Sequence, residues 1–464
     1  MQRRLLLLLG LLALVSGFSV TSNNVAQAAS SCVIPGKTNT LQGAIQGANY
    51  TIAVPSNWNG TLALYSHGYV FSTQPLLKPA PDASDPQSGA ALLSQGYALA
   101  GSSYSQNGWA IQQAFHDQIA LLNYFDTTCG RPTRTVAWGD SLGGIITAGL
   151  VQLYPERFTG ALPMCGVLAG GIGTWNQALD GSFAFNVLLA NSNLSVVHIT
   201  DPSGTFKKAE AILQATQNSP QGKARIALVA ALGDIPGWFD PRSAEPAPQD
   251  YTTREQNQYA WESQVDFPFA FGARAELEYR AGGNPSWNAG VDYSKQLKLS
   301  TSSNEVKALY KQAGLNLNTD LATLAKAPRI KADPKAKQYL NKYITFNGDL
   351  DVPVLTIHTT GDGLVVNQDE QAYKSVVDAH GDARLLRQTF VHRAGHCTFT
   401  PAEKLTAFGT LIHRLDTGQW GSTNPELLNK EAATFGANLN PAPPAFLAYT
   451  PTPFLRPYDA RNVC

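Results

Sequence analysis

The segment Thr135-Val136-Ala137-Trp138-Gly139-Asp140-Ser141-Leu142-Gly143 constrains this chain more than any other. Four apolar or β-prone residues run directly into the pattern G-x-S-x-G, and a helical pattern from Leu142 to about Leu153 follows, stopping before Pro155. A strand that turns this abruptly into a helix carries its intervening side chain on a sharp corner. The flanking glycines let the two elements approach closely. Ser141 is therefore expected at the exposed end of a strand, where a hydroxyl can act as a nucleophile.

The flanking sequence repeats the alternation. Thr61-Leu62-Ala63-Leu64-Tyr65 and Tyr97-Ala98-Leu99-Ala100 read as strands, and residues 88–95 as a helix. Ile111, Phe115, Ile119, Leu122 and Phe125 recur at helical spacing. Strand and helix in alternation predict an α/β fold, a mostly parallel sheet with flanking helices. Residues 29–60, punctuated by Pro35, Gly36 and Pro55, suggest earlier strands and turns. The rhythm breaks after Val167 and resumes with Val352-Pro353-Val354-Leu355-Thr356-Ile357-His358 and Gln388-Thr389-Phe390-Val391-His392. The expected organisation is thus a first core part at 29–169, a large, mainly helical lid or cap insertion at 170–350, and a second core part at 351–420. A proline-rich extension at 421–464 should follow, with residues 440–457 running over the surface. The insertion is rich in aromatics, among them Trp175, Trp238, Trp261, Phe267, Phe269 and Trp287.

Composition narrows the partners. Thirty-four basic and 34 acidic side chains balance, and only 15% of residues are charged, which argues against nucleic-acid or anionic-membrane binding. With 44% hydrophobic residues the chain can build a core, and no interior apolar run approaches the ~18 residues of a membrane span. Arg3 and Arg4 before Leu5–Leu14, with Ala26-Gln27-Ala28 beyond, have the layout of a signal peptide over residues 1–28. The strongly apolar run favours the general secretory route over the twin-arginine route, and Ser30-Ser31 before Cys32 makes a poor lipidation box. The mature protein is expected to be secreted, to the periplasm or beyond. Disulfides are then permissible among Cys32, Cys129, Cys165, Cys397 and Cys464. An odd count leaves one thiol over, and the absence of CxxC pairing argues against zinc. Cys32 with Cys464 or Cys129, and Cys165 with Cys397, are connectivities the sequence leaves open.

A serine needs a base, and the base a partner that sets its tautomer. Thr359-Thr360-Gly361-Asp362-Gly363 puts Asp362 in a turn directly after a strand, and Arg393-Ala394-Gly395-His396-Cys397 puts His396 in a glycine-containing loop after the next. Both are expected where parallel strands end. His358 and His392 lie inside strands and read as packing residues; Asp369 falls a turn too late. The spacing of His392 and His396 suggests metal only on a helix, and Gly395 argues against one, so no metal or cofactor is required. The developing oxyanion needs donors: the backbone NH of Leu142 and, from His67-Gly68-Tyr69 after the early strand, that of Tyr69.

The order Ser141, Asp362, His396 and the strand–serine–helix motif resemble the α/β-hydrolase superfamily over roughly residues 50–167 and 350–415. The resemblance implies an eight-stranded, mostly parallel sheet and hydrolysis through an acyl-enzyme. Gly101-Ser102-Ser103-Tyr104 with Gly108-Trp109 looks like prolyl-oligopeptidase-type hydrolases, whose propeller has no room here. Cys397 beside His396 is similar to tannase and feruloyl esterase proteins, where cysteines next to serine and histidine are bridged; Asp140 stands where that pattern needs cysteine. The expected function is a secreted serine hydrolase cleaving carboxylic esters of small-molecule or polymeric substrates. The rival is a secreted serine peptidase, for which Glu262 or Glu276-Leu277-Glu278 would supply an acidic pair for a free amino terminus.

Overall fold

The computed structural model describes residues 31–459. The expected signal peptide and Cys464 lie outside them. Among the described residues nine strands form one sheet: β1 (Asn39–Ile45), β2 (Ala48–Val54), β3 (Thr61–Ser66), β4 (Ala98–Ser102), β5 (Arg134–Asp140), β6 (Gly160–Met164), β7 (Val354–Gly361), β8 (Leu386–Ala394) and β9 (Phe446–Leu447), in the order β1-β2-β4-β3-β5-β6-β7-β8-β9. From β4 to β8 the pairing is parallel; β1 pairs antiparallel with β2, β2 with β4, and β9 with β8. The crossover β4-β3-β5 brings β3 and β5 side by side, with Ser66 opposite Gly139.

Because strand side chains alternate faces, the sheet feeds two cores. Leu62, Leu64 and Ala137 pack with Ile111, Phe115, Leu122, Ile145, Ile146 and Leu150 of the helices Ile111–Cys129 and Leu142–Leu153. Ala63, Tyr65, Val136 and Trp138 point the other way, onto Leu92, Leu405, Phe408 and Leu411 of the helices Pro86–Ser94 and Pro401–Thr417. The central strands are apolar without alternation because both faces are covered. The latter helix starts with a full capping box: Thr400 Oγ1 accepts from the Glu403 NH, and Glu403 Oε2 accepts from the Thr400 NH.

Between β6 and β7 the described residues contribute helices and no strand, and these build a third apolar cluster around Phe183, Phe185, Leu228, Phe267, Phe271 and Tyr310. Two expectations are corrected. Among the described residues the sheet has nine strands rather than the eight implied by resemblance. The proline-rich tail does not simply run over the surface: Phe446 enters β9, Phe454 and Leu455 are buried, and Arg456 pairs with buried Asp180 (Nη1–Oδ2 2.6 Å). Prolines predict an extended backbone, but the burial of their neighbours is decided by the surface they lie against. Disulfides join Cys32 to Cys129 and Cys165 to Cys397, across 97 and 232 residues.

Candidate active site

Ser141 occupies the corner between β5 and the helix Leu142–Leu153, at φ 60° and ψ −120°. The glycines explain how the corner closes: a Cβ on Gly143 would lie 1.9 Å from the Ser66 carbonyl oxygen, and one on Gly139 2.4 Å from the same atom. Only a residue without Cβ lets the helix enter beside β3. The corner is tied down by the Ser141 NH donating to Met164 O at 3.0 Å.

His396 follows β8 after Gly395, and Asp362 follows β7. Their loops meet through the Gly395 NH, which donates to Gly361 O at 3.0 Å. The result is a relay: Ser141 Oγ lies 2.7 Å from His396 Nε2, and His396 Nδ1 lies 2.7 Å from Asp362 Oδ2. The second Asp362 oxygen accepts from the NH groups of Leu364 (3.1 Å) and Val365 (3.0 Å). Burial by itself would raise the Asp362 carboxyl, but the His396 and His358 rings beside it hold it below its ordinary value. The Cys165–Cys397 disulfide flanks this point, with Cys397 Sγ 3.4 Å from His396 Nε2.

Behind Asp362 stands a group whose reading as a packing residue is corrected here. His358 is buried in β7, its Nε2 2.8 Å from Val365 O and 3.6 Å from Asp362 Oδ2, its Nδ1 3.2 Å from Glu370 Oε1. Glu370 also accepts from Thr356 and Gln388. Both ring nitrogens of His358 therefore face acceptors, and an imidazole can satisfy both only when doubly protonated. Burial works against that charge, but the hydrogen bonds to Asp362 and Glu370 prevail and raise the ring to about 10. His392, by contrast, is half-exposed on β8 and tilts against Trp238. Asp369 accepts from the Ala169 NH and lies off the relay; burial raises it to about 7.

The loop after β3 borders Ser141: a Cβ on Gly68 would sit 3.5 Å from the Ser141 Cβ. It is held by the Tyr104 hydroxyl donating to His67 O (3.1 Å) and by the His67 ring stacked on Tyr104. Tyr69 and Leu142 line one cavity with Ser141, of about 840 Å³ counting its open mouth. Its other wall comes from the insertion: Trp175 and Ala178 of the helix Gly170–Leu188, and the π-helical stretches Glu262–Asp266 and Pro268–Ala273. Of the acids weighed for a peptidase, Glu276 is taken up by Arg280 and the Trp109 NH, and Glu278 by Arg274 and the His198 NH. Glu262 faces the cavity, and beside it is Asp266, which the sequence did not single out.

A mostly parallel sheet of this order, with Ser141, Asp362 and His396 at the carboxyl ends of β5, β7 and β8, is the α/β-hydrolase fold. No family model matches the chain. It is 28% identical over 417 residues to an o-phthalyl amidase from Xanthobacter agilis, covering 82% of this chain and 88% of that protein. Among solved structures it is similar to the rice cell wall degrading esterase LipA from Xanthomonas oryzae (15% identity, 83% and 86% of the two chains, TM-score 0.36). It is also similar to an esterase from Aspergillus oryzae (14%, 82% and 79%, TM-score 0.39).

Proposed function

We propose that this protein is an exported serine hydrolase that cleaves a carboxylic acyl bond through an acyl-enzyme. The observation that carries this reading is the unbroken relay from Ser141 Oγ through His396 to Asp362, at 2.7 Å for each step, opening on a cavity. Ser141 Oγ attacks the acyl carbon while His396 Nε2 takes its proton. The NH groups of Leu142 and Tyr69 hold the oxyanion. His396 then protonates the departing alcohol or amine, and water enters by the same steps in reverse order to release the acid and free Ser141. Asp362 keeps the His396 proton on Nδ1 and stabilises the imidazolium. The helical insertion acts as the cap that shields these charges from water.

Esters and amides pass through the same tetrahedral intermediate, so the geometry serves both ester cleavage and its peptidase-like rival. Cleavage of an amide has specific support from the relative that is an o-phthalyl amidase. An aromatic acyl group is supported by the rings of Tyr69, Trp109, Trp175, Phe267 and Phe269 around the cavity. Two disulfides fit an oxidising compartment. The test is labelling by a fluorophosphonate, together with turnover of matched aryl-acyl nitrophenyl esters and nitroanilides, by wild type and Ser141→Ala. Labelling and turnover should vanish together in the variant. Equal turnover in both proteins removes Ser141 as the nucleophile.

A further inference from the structure

The cap contributes a feature that acyl transfer itself does not use. Glu262 and Asp266 sit four residues apart in a π-helical stretch, whose widened turn keeps such residues on one face, and both line the cavity that holds Ser141. Glu262 is 3% exposed, and its Oε1, like Asp266 Oδ2, has no hydrogen-bond partner among the described residues. Neither carboxyl has an ion pair there. Burial pushes Glu262 up to about 8; burial, then the neighbouring Glu262 and Asp362, push Asp266 higher. A buried and a half-buried acid without a counter-charge are costly to keep unless something pairs with them.

The rest of the wall says what that is. Among the described residues no lysine or arginine lines the cavity, so away from His396 a substrate carboxylate would find no cation there. The indole NH groups of Trp109 and Trp175, both nine-tenths buried, have no hydrogen-bond partner among the described residues, and Trp109, Phe267 and Phe269 add aromatic rings, which attract cations, to the cavity wall. Hydrogen bonding alone would be served by amides at 262 and 266 without the cost of burying ionisable groups. What a carboxyl offers beyond an amide is charge.

We propose that Glu262 and Asp266 form a subsite for a substrate ammonium group, so that the preferred acyl donor carries a free amine on an aromatic acyl chain. This rests on the reading of Ser141 as nucleophile and names its substrate class. An ammonium group supplies the counter-charge that burial otherwise denies the two carboxyls and so draws them into their ionised form, and the indole NH groups take the neutral acceptors of the same substrate.

The test uses nitrophenyl esters of three matched acids: phenylalanine (ammonium), 3-phenylpropanoic acid (neutral) and benzylsuccinic acid (carboxylate). The expected kcat/KM favours the ammonium ester over the neutral one by about tenfold or more, which is about 1.4 kcal/mol. Glu262→Gln and Asp266→Asn should each bring that ratio towards one. In a second arm, thermal unfolding of Ser141→Ala is followed with phenethylammonium, 2-phenylethanol or phenylacetate added. Only the amine should raise the midpoint, and Glu262→Gln in the same background should abolish the rise. A preference for the carboxylate or the neutral ester, or an amine preference that survives both acid substitutions, overturns the proposal. Absence of fluorophosphonate labelling overturns the nucleophile reading instead, and the binding arm then still decides whether an amine occupies the acid pair.

Discussion

Replacing His358 by glutamine removes a buried cation that stands between two buried carboxylates. In the folded protein the ring titrates at about 10 against an ordinary 6.5, a difference worth about 5 kcal/mol of folding free energy. The sign follows from the direction of the shift. A histidine raised on folding stabilises fully below its unfolded value, and that contribution is lost as pH rises through the folded value. Wild type should therefore hold the full advantage over His358→Gln at pH 6, lose about 1.4 kcal/mol for each pH step between about 7 and 10, and approach the variant near pH 10. The size at low pH agrees with the ~3–5 kcal/mol expected when one partner of a buried ion pair is removed. Urea unfolding of both proteins at one-unit intervals from pH 6 to 10 measures the difference while cancelling groups common to both. A difference constant across that range would mean that His358 acts by shape alone, and would refute the assignment of charge. Turnover should fall as well, because Asp362 loses the neighbour that helps keep it ionised.

Two further outcomes follow from the geometry of the site. Gly143→Ala drives a methyl to 1.9 Å from the Ser66 carbonyl oxygen, so it should cost at least about 3 kcal/mol in unfolding measurements and abolish fluorophosphonate labelling; a stable, labelled variant would show that the corner can open without loss. Replacing both Cys165 and Cys397 by serine removes a link across 232 residues and should lower stability by up to about 5 kcal/mol. It should also lower kcat more than KM, since Cys397 adjoins His396; unfolding midpoints and kinetics indistinguishable from wild type would rule out both effects.

The α/β fold was legible because its signals are local. Strand runs, the 3.6-residue periodicity of Ile111–Phe125 and the glycines around Ser141 act over a few bonds, and they mark Thr135–Trp138 and Leu142–Leu153 close to where β5 and its helix lie. The turns that hold Asp362 and His396 carry the same kind of signal, each a glycine-flanked residue directly after a strand. Less legible were elements whose neighbours are remote. The tail Phe446–Arg456 reads as proline-rich and extended, and nothing in its own pattern reveals that Arg456 meets Asp180, 276 residues away. His358 looks apolar in role because its strand is, until Glu370 turns towards it.

What the sequence determined by itself was the strand–helix alternation of the core around Ser141 and the three residues placed at strand ends, all properties of dihedral preference and hydrophobic period. Tertiary structure alone decided which cysteines pair, that His358 stands between Asp362 and Glu370, and that Glu262 and Asp266 line the cavity of Ser141. Those facts depend on desolvation and on charges brought together by the path of the whole chain, and a pairing energy between distant residues leaves no periodic trace in the sequence around either of them.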